Sequence, residues 1–210
     1  VDRPNLTYKF YPRQGDGFEQ ILSVVRRNPK DAGIVYAIRR KDTVALAEKL
    51  QAQGVNAMAY HGEMISSDRS RVQDAFMSDE CRVVVATVAF GMGIDRTDVR
   101  YVLHARMPKS IEHFSQESGR AGRDGDPAEC ILLYSGEDFA LWKFIVEKSL
   151  SEGSAELEPS LARLSETYRF SSGSQCRHRF LARYFGQDLD PGSCGACDVC
   201  LEELPEMANS

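Results

Sequence analysis

The sequence predicts an α/β fold: a parallel sheet flanked by helices, with a small helical, cysteine-bearing unit on its C-terminal side. Three observations predict it. From Leu6 to Tyr134 short apolar runs alternate with longer stretches of helical period, the pattern of βαβ units in a parallel sheet. One such run, Val83-Val84-Val85, is apolar without alternation, as a strand covered on both faces must be. Four of the six cysteines, Cys176, Cys194, Cys197 and Cys200, lie together beyond residue 175, whereas Cys81 and Cys130 stand alone in apolar stretches.

The elements follow in order. Phe18, Ile21, Leu22 and Val25 keep the i, i+3, i+4, i+7 spacing of a helix, which Pro29 ends. Residues 33–38 read as a short buried strand. The next helix has Asp42 as its N-cap, Leu46 and Leu50 on one face, and Gly54 in the position favoured just past a helix end. Strands are expected at 55–60, 82–87, 100–105 and 130–134, with helices at 68–77 and 110–121 between them. A helix over 137–148 carries Phe139, Trp142 and Val146 on one side, and the polar run 151–154 reads as a linker. Two further helices, 157–170 and 175–185, lead to Gly186 and the cysteines. The expected division is therefore a sheet domain over 1–150 and a small helical domain over 151–210.

Composition narrows the function classes. The chain has 210 residues, 42% hydrophobic, with 26 Lys+Arg against 31 Asp+Glu and a net charge of -5. That is too apolar for a disordered chain, and it lacks the overall basic charge of a general nucleic-acid binder. Any nucleic-acid contact must be local. Between Arg96 and Arg123 five Arg and one Lys face only Asp98, Glu112 and Glu117, so a locally positive segment exists. No apolar run approaches the roughly 18 residues of a membrane span, and residues 1–4 do not open like a signal peptide. No membrane partner is expected.

Two segments carry chemistry. In Gln116-Glu117-Ser118-Gly119-Arg120-Ala121-Gly122-Arg123-Asp124-Gly125, two arginines three apart at a helix end are separated only by small residues. Such a pair presents two guanidinium forks on nearly one face, which suits phosphate. A solvated helix terminus is the alternative, but three glycines, each costing helix stability by about 1 kcal/mol, need a reason. The second segment, Thr87-Val88-Ala89-Phe90-Gly91-Met92-Gly93-Ile94-Asp95, follows the central strand. It lies at the carboxyl edge of a parallel sheet, where α/β proteins bind ligands.

Cys194-Gly195-Ala196-Cys197-Asp198-Val199-Cys200, with Cys176 upstream, offers four thiolates to one ion. Four sulfur ligands describe a closed structural zinc site. The same spacing also opens an iron–sulfur run, although that motif expects Pro after its fourth Cys and here Leu201 follows Cys200. Disulfides are a third arrangement. In the stretch after Cys176, residues Phe180, Leu181, Tyr184 and Phe185 form an inward face, which leaves Arg177, Arg179 and Arg183 for solvent or phosphate. His178 is a spare ligand candidate beside four cysteines that already fill the site, and His61 and His104 receive no role.

Together these segments resemble the second motor lobe of superfamily 2 helicases, and most closely the RecQ family. The chain opens with Asp2-Arg3-Pro4-Asn5, its 87–95 segment is similar to that family's motif V, and its 116–125 segment to motif VI. The resemblance implies a RecA-like sheet and ATP-dependent unwinding of DNA with 3′-to-5′ polarity, in repair and recombination. It implies that Arg123 is a catalytic arginine finger, that Arg120 acts beside it, and that Gln116 and Asp95 help to bind nucleotide. Arg40, preceded by Arg39 where the family usually has Ser, would contact DNA, as would Thr87, Gly91 and Gly93. It also decides the cysteine question in favour of one structural Zn2+ held by Cys176, Cys194, Cys197 and Cys200.

The sequence contains no G-x-x-x-x-G-K-[ST] phosphate loop and no Asp-Glu-x-His segment. ATP and Mg2+ are therefore expected mainly on a preceding RecA-like lobe, which with single-stranded DNA and the duplex junction completes the partners. This chain alone is expected to be inactive. The expected location is the cytoplasm or nucleoid in a bacterium and the nucleus in a eukaryote. A non-catalytic DNA- or protein-binding module derived from a motor lobe is the alternative, opposed by the intact Arg120/Arg123 pair. An RNA-directed lobe is a third, opposed by the cysteine unit.

Overall fold

A computed structural model describes residues 3–87, 90, 95–150, 153–189 and 192–203. Gly91 and Gly93 lie outside the described residues. Six strands, β1 (Leu6–Pro12), β2 (Ala32–Tyr36), β3 (Ala57–Tyr60), β4 (Val83–Ala86), β5 (Val99–His104) and β6 (Ala128–Tyr134), form one sheet in the order β1-β6-β5-β2-β4-β3. Every neighbouring pair is parallel. The expected fold class is thus the observed one. The central strands are buried along their whole length, which is why they carry no polar alternation.

Helices cover both faces. On one, α1 (Phe18–Arg27) and α2 (Arg40–Ala52) place Ile21, Leu22, Val25 and Leu50 against Val35, Val85 and Leu103. On the other, α3 (Ser66–Met77) and α4 (Ile111–Ser118) bring Phe76 and Phe114 onto Ile34, Val84 and Val102. The helix α5 (Gly136–Ser149) follows β6, and α6 (Leu157–Ser172) and α7 (Arg177–Tyr184) complete the chain of elements. Phe170 of α6 and Leu181 of α7 join the same apolar cluster as Phe114, so the sheet domain and the helical unit share a core.

Two local features differ from the expectation, and a third explains a glycine inside a strand. The edge strand β1 was not anticipated as a separate element; its Leu6, Tyr8 and Phe10 alternate with half-buried Thr7 and Lys9, as one-sided burial requires. Asp42 is not the N-cap of α2: the helix begins at Arg40 after Arg39, and Asp42 sits in its first turn, where the Arg39 Nε donates to it at 2.8 Å. A carboxylate there favours the positive helix end as well as its partner. Gly33 in β2 is required by packing, because a Cβ there would lie 1.9 Å from the Tyr101 ring that crosses it.

Candidate functional site

The carboxyl ends of β2 and β5 and the segment after β4 meet at one edge of the sheet. Tyr36, last in β2, donates to the Phe90 carbonyl at 3.1 Å. His104, last in β5, stacks on Tyr36 with centroids 5.3 Å apart, and its Nε2 lies 2.7 Å from Glu117 Oε2. All three are buried, so the carboxylate on the inner face of α4 has the partner that burial demands. Burial and the Glu117 carboxylate push the Tyr36 phenol up, while Arg120 and Arg123 pull against them.

Local sequence explains the arrangement. Ser110 caps α4, accepting from the His113 backbone N–H at 3.3 Å. The helix stops at Ser118, and Gly119 starts a tight turn that carries Arg120 and Arg123 beyond the helix end. Gly122 adopts φ +54°, the left-handed region, and its N–H donates to the Val99 carbonyl at 2.8 Å. Arg123 comes within 4.0 Å of Asp95, which is almost fully exposed, and its Nε reaches the Gly119 carbonyl at 3.5 Å.

The structure thus brings Arg123 to Asp95, with Arg120 in the same turn. Thr87, at the end of β4, is buried and hydrogen-bonds through its N–H to the Tyr60 carbonyl at 3.2 Å. Gln116 lies on the exposed side of α4. Arg40 belongs to a different pairing, with Glu63 in the turn after β3. Tyr36, His104 and Glu117 were missed in the sequence. The signals were available: a carboxylate in register with Ile111 and Phe114 on the buried face of α4, and an imidazole closing an apolar strand.

The second centre is the cysteine cluster. Cys176 precedes α7, and its sulfur lies with those of Cys194, Cys197 and Cys200 so that all four are within 4.8 Å of one another. Two backbone N–H groups, of Ala196 and Cys200, donate to the Cys194 and Cys197 sulfurs at 3.4 Å. Burial pushes the Cys194 and Cys197 thiols up. At Cys200 burial is outweighed by hydrogen bonds from its neighbours, which bring it down to about 7. Four sulfurs converging on one point, with amide donors behind them, fit a tetrahedral thiolate-bound zinc. Cys81 and Cys130 are buried single thiols, Cys81 raised to about 11 by desolvation.

The expectation that Arg177 faces solvent or phosphate is overturned. It is 4% exposed, its guanidinium sits 4.5 Å over the Phe10 ring, and it pairs with Asp198 of the knuckle. Phe185, expected inward, is exposed. The knuckle is stitched to the edge strand: Tyr8 N–H donates to Ala196 O at 3.1 Å, and Asp198 N–H to Tyr8 O at 2.9 Å. The cysteine segment thereby covers the outer edge of β1 at Tyr8.

A family model described as helicase conserved C-terminal domain matches residues 16–125, and one described as RecQ zinc-binding matches residues 136–201. The chain is 39% identical over 201 residues to the ATP-dependent DNA helicase RecQ of Bacillus subtilis, a match covering 95% of this chain and 33% of that protein. To the RecQ-like DNA helicase BLM of Xenopus laevis it is 36% identical over 210 residues, 95% of this chain and 15% of that one. The chain thus spans about a third or less of the length of these relatives. Among solved structures, the E. coli DEAD-box protein SrmB, bound to regulator of ribonuclease activity A, has TM-score 0.58 at 24% identity, covering 70% of this chain and 86% of that one; the likeness is one of fold. No helix among the described residues is long and apolar enough to cross a membrane. With both matched regions present in the expected order, and the paired arginines and cysteine cluster inside them, the chain belongs to the RecQ family, as a helicase conserved C-terminal domain joined to a RecQ zinc-binding region.

Proposed function

We propose that this chain is the second motor lobe, residues 1–150, and the zinc module, residues 151–210, of an ATP-dependent DNA helicase with 3′-to-5′ polarity. One observation carries the reading: the turn after α4 carries Arg120 and Arg123 beyond the helix end, beside the segment that leads into β5, with Arg123 4.0 Å from Asp95. A guanidinium carried past a helix end on such a turn can reach a phosphate held by a facing lobe. The preceding RecA-like lobe holds ATP and Mg2+, and the nucleotide supplies the phosphoryl group that is transferred to water. Arg123 stabilises the charge on the equatorial oxygens as the bond to the leaving phosphate lengthens. Arg120 stays beside it in the same turn, while Gln116 and Asp95 orient the nucleotide side of the cleft.

Arg40, Thr87, Gly91 and Gly93 form the track for single-stranded DNA on this lobe. Arg40 is ion-paired with Glu63 at the exposed surface, a weak pairing that DNA phosphate can replace. The cysteine cluster holds one structural Zn2+, and the shared core around Phe114, Phe170 and Leu181 lets the zinc module brace the motor lobe at the duplex junction.

The test uses the intact protein carrying both lobes. Arg123→Ala should lower DNA-stimulated ATP hydrolysis by a factor on the order of 1,000 while changing nucleotide affinity little. Unchanged turnover would remove the finger assignment and with it the motor reading.

A further inference from the structure

Resting on the motor reading, we propose that Arg3 and Asn5 are positioning residues that fix the direction of the Arg120/Arg123 turn and so set the turnover of the arginine finger.

The last carbonyls of α4 are met locally, Ser115, Glu117 and Ser118 accepting from the Gly119, Arg120 and Ala121 N–H groups, and the carbonyls of the turn beyond them need further donors. Here most of the donors come from over a hundred residues away in sequence. Arg3 Nη2 donates to Ala121 O at 3.0 Å and to Gly122 O at 2.7 Å, and its Nη1 reaches Gly119 O at 3.4 Å. Asn5 Nδ2 donates to Gly122 O at 2.8 Å and to Asp126 O at 2.9 Å. The backbone ties the same pieces together, since Ala128 N–H donates to Asn5 O at 3.0 Å. One forked cation and one amide therefore collect four carbonyls of the segment that carries both arginines.

Three physical points turn this from a cap into a positioning device. The carbonyl of Gly119 receives Arg3 Nη1 and also Arg123 Nε, at 3.5 Å, so Arg3 and Arg123 meet on a single oxygen. The fit around Gly122 is tight: a Cβ there would lie 2.6 Å from Asn5 Nδ2 and 2.8 Å from Asp126 O. The left-handed turn and the amide that fills it are thus matched to each other. Finally, a guanidinium fork fixes two directions at once, which a lysine ammonium cannot do. A cation at the carbonyl end of α4 is also favoured by the helix dipole. Arg3 and Asn5 direct these donors to backbone carbonyls of the turn, and their effect passes through its geometry.

The experiment measures DNA-stimulated ATP hydrolysis by the intact two-lobe protein. Arg3→Ala should lower kcat by about 10- to 100-fold, the usual cost of misplacing a catalytic group by about 1 Å, with KM for ATP changed by less than about threefold. Added to Arg123→Ala, the same change should cause little further loss, because Arg3 acts through Arg123 and residues acting as a unit are not additive. Arg3→Lys should recover only part of the rate. Asn5→Asp, which removes the amide donors and places a carboxylate against Gly122 O, gives the same reading where Arg3→Ala fails to fold. An unchanged kcat in both Arg3→Ala and Asn5→Asp, or a loss that is fully repeated in the Arg123→Ala background, overturns the positioning role while leaving the motor reading intact. If Arg123→Ala itself hydrolyses ATP at the wild-type rate, the motor reading falls, and the positioning role falls with it.

Discussion

Arg177 and Asp198 form a buried two-point ion pair that joins α7 to the cysteine knuckle, Nε to Oδ1 at 3.0 Å and Nη2 to Oδ2 at 3.1 Å. The pair does not stand alone. Asp198 Oδ2 also accepts the Phe10 N–H at 3.2 Å, and Arg177 Nη1 donates to Phe170 O at 2.6 Å. Edge strand, knuckle and both C-terminal helices therefore converge on two side chains. Removing one partner strands a charge away from water. Arg177→Ala or Asp198→Ala should each destabilise the fold by about 3–5 kcal/mol, read from urea unfolding, and an apolar pair at both positions should cost less than either single change. Single-variant losses below about 1 kcal/mol would contradict the buried pairing.

The knuckle is bound to β1 through Tyr8, so metal loss should be felt in the sheet. One colourless zinc per chain is expected by metal analysis, and a chelator should lower the melting temperature, because structural zinc contributes folding free energy. Hydrogen exchange at the Tyr8 and Phe10 amides should accelerate on chelation, ahead of the buried central strands β2 and β4. Iron with visible absorption, or unchanged β1 protection after the metal is removed, would be the contrary result.

Gly122 and Gly125 both have positive φ, +54° and +90°, yet they predict different outcomes. At Gly122 a methyl meets Asn5 and the Asp126 carbonyl at under 3.0 Å, whereas at Gly125 nothing lies within 4 Å. Gly125→Ala should cost only conformational strain, about 1 kcal/mol. Gly122→Ala should cost more, with a loss of ATP turnover in the intact protein that Gly125→Ala does not share. Equal melting temperatures and equal turnover for the two variants would contradict the packing argument.

His113 predicts a pH effect. Burial, aided by Lys109, lowers its pKa from the ordinary 6.5, and its Nδ1 lies 2.7 Å from Ser110 Oγ at the cap of α4. The folded state therefore binds its proton less readily than the unfolded state. Its contribution is complete above about pH 6.5 and is lost as pH falls from there through the folded value. Melting temperatures between about pH 5 and 7.5 should fall on the acid side in the wild type, and the fall should be smaller in His113→Gln. A steeper fall in the variant would reverse the sign of the argument.

Much of the site was legible in sequence because its signals are local. Gly119, Gly122 and Gly125 around two arginines mark a turn that a helix would not tolerate, and cysteines two residues apart bring their sulfurs together within one loop. The strands β2 and β4 were legible from unbroken apolar runs, since both of their faces are covered. Arg177 was misread for the opposite reason: a helix pattern assigns an arginine to solvent, and its burial depends on Asp198 and the Phe10 ring, neither of them on its own helix.

By itself, then, the sequence determined the α/β class, the paired arginines, the four-cysteine set and the family they resemble, because each is written in spacing over a few residues. Only the tertiary structure decided that Arg3 and Asn5 grip the arginine turn, that Glu117 is answered by His104, and that the knuckle covers the outer edge of β1 at Tyr8. Those contacts join residues brought together by the fold, and their strength comes from burial and from the carbonyls of the turn after α4. Neither quantity exists until the sheet has brought the partners together.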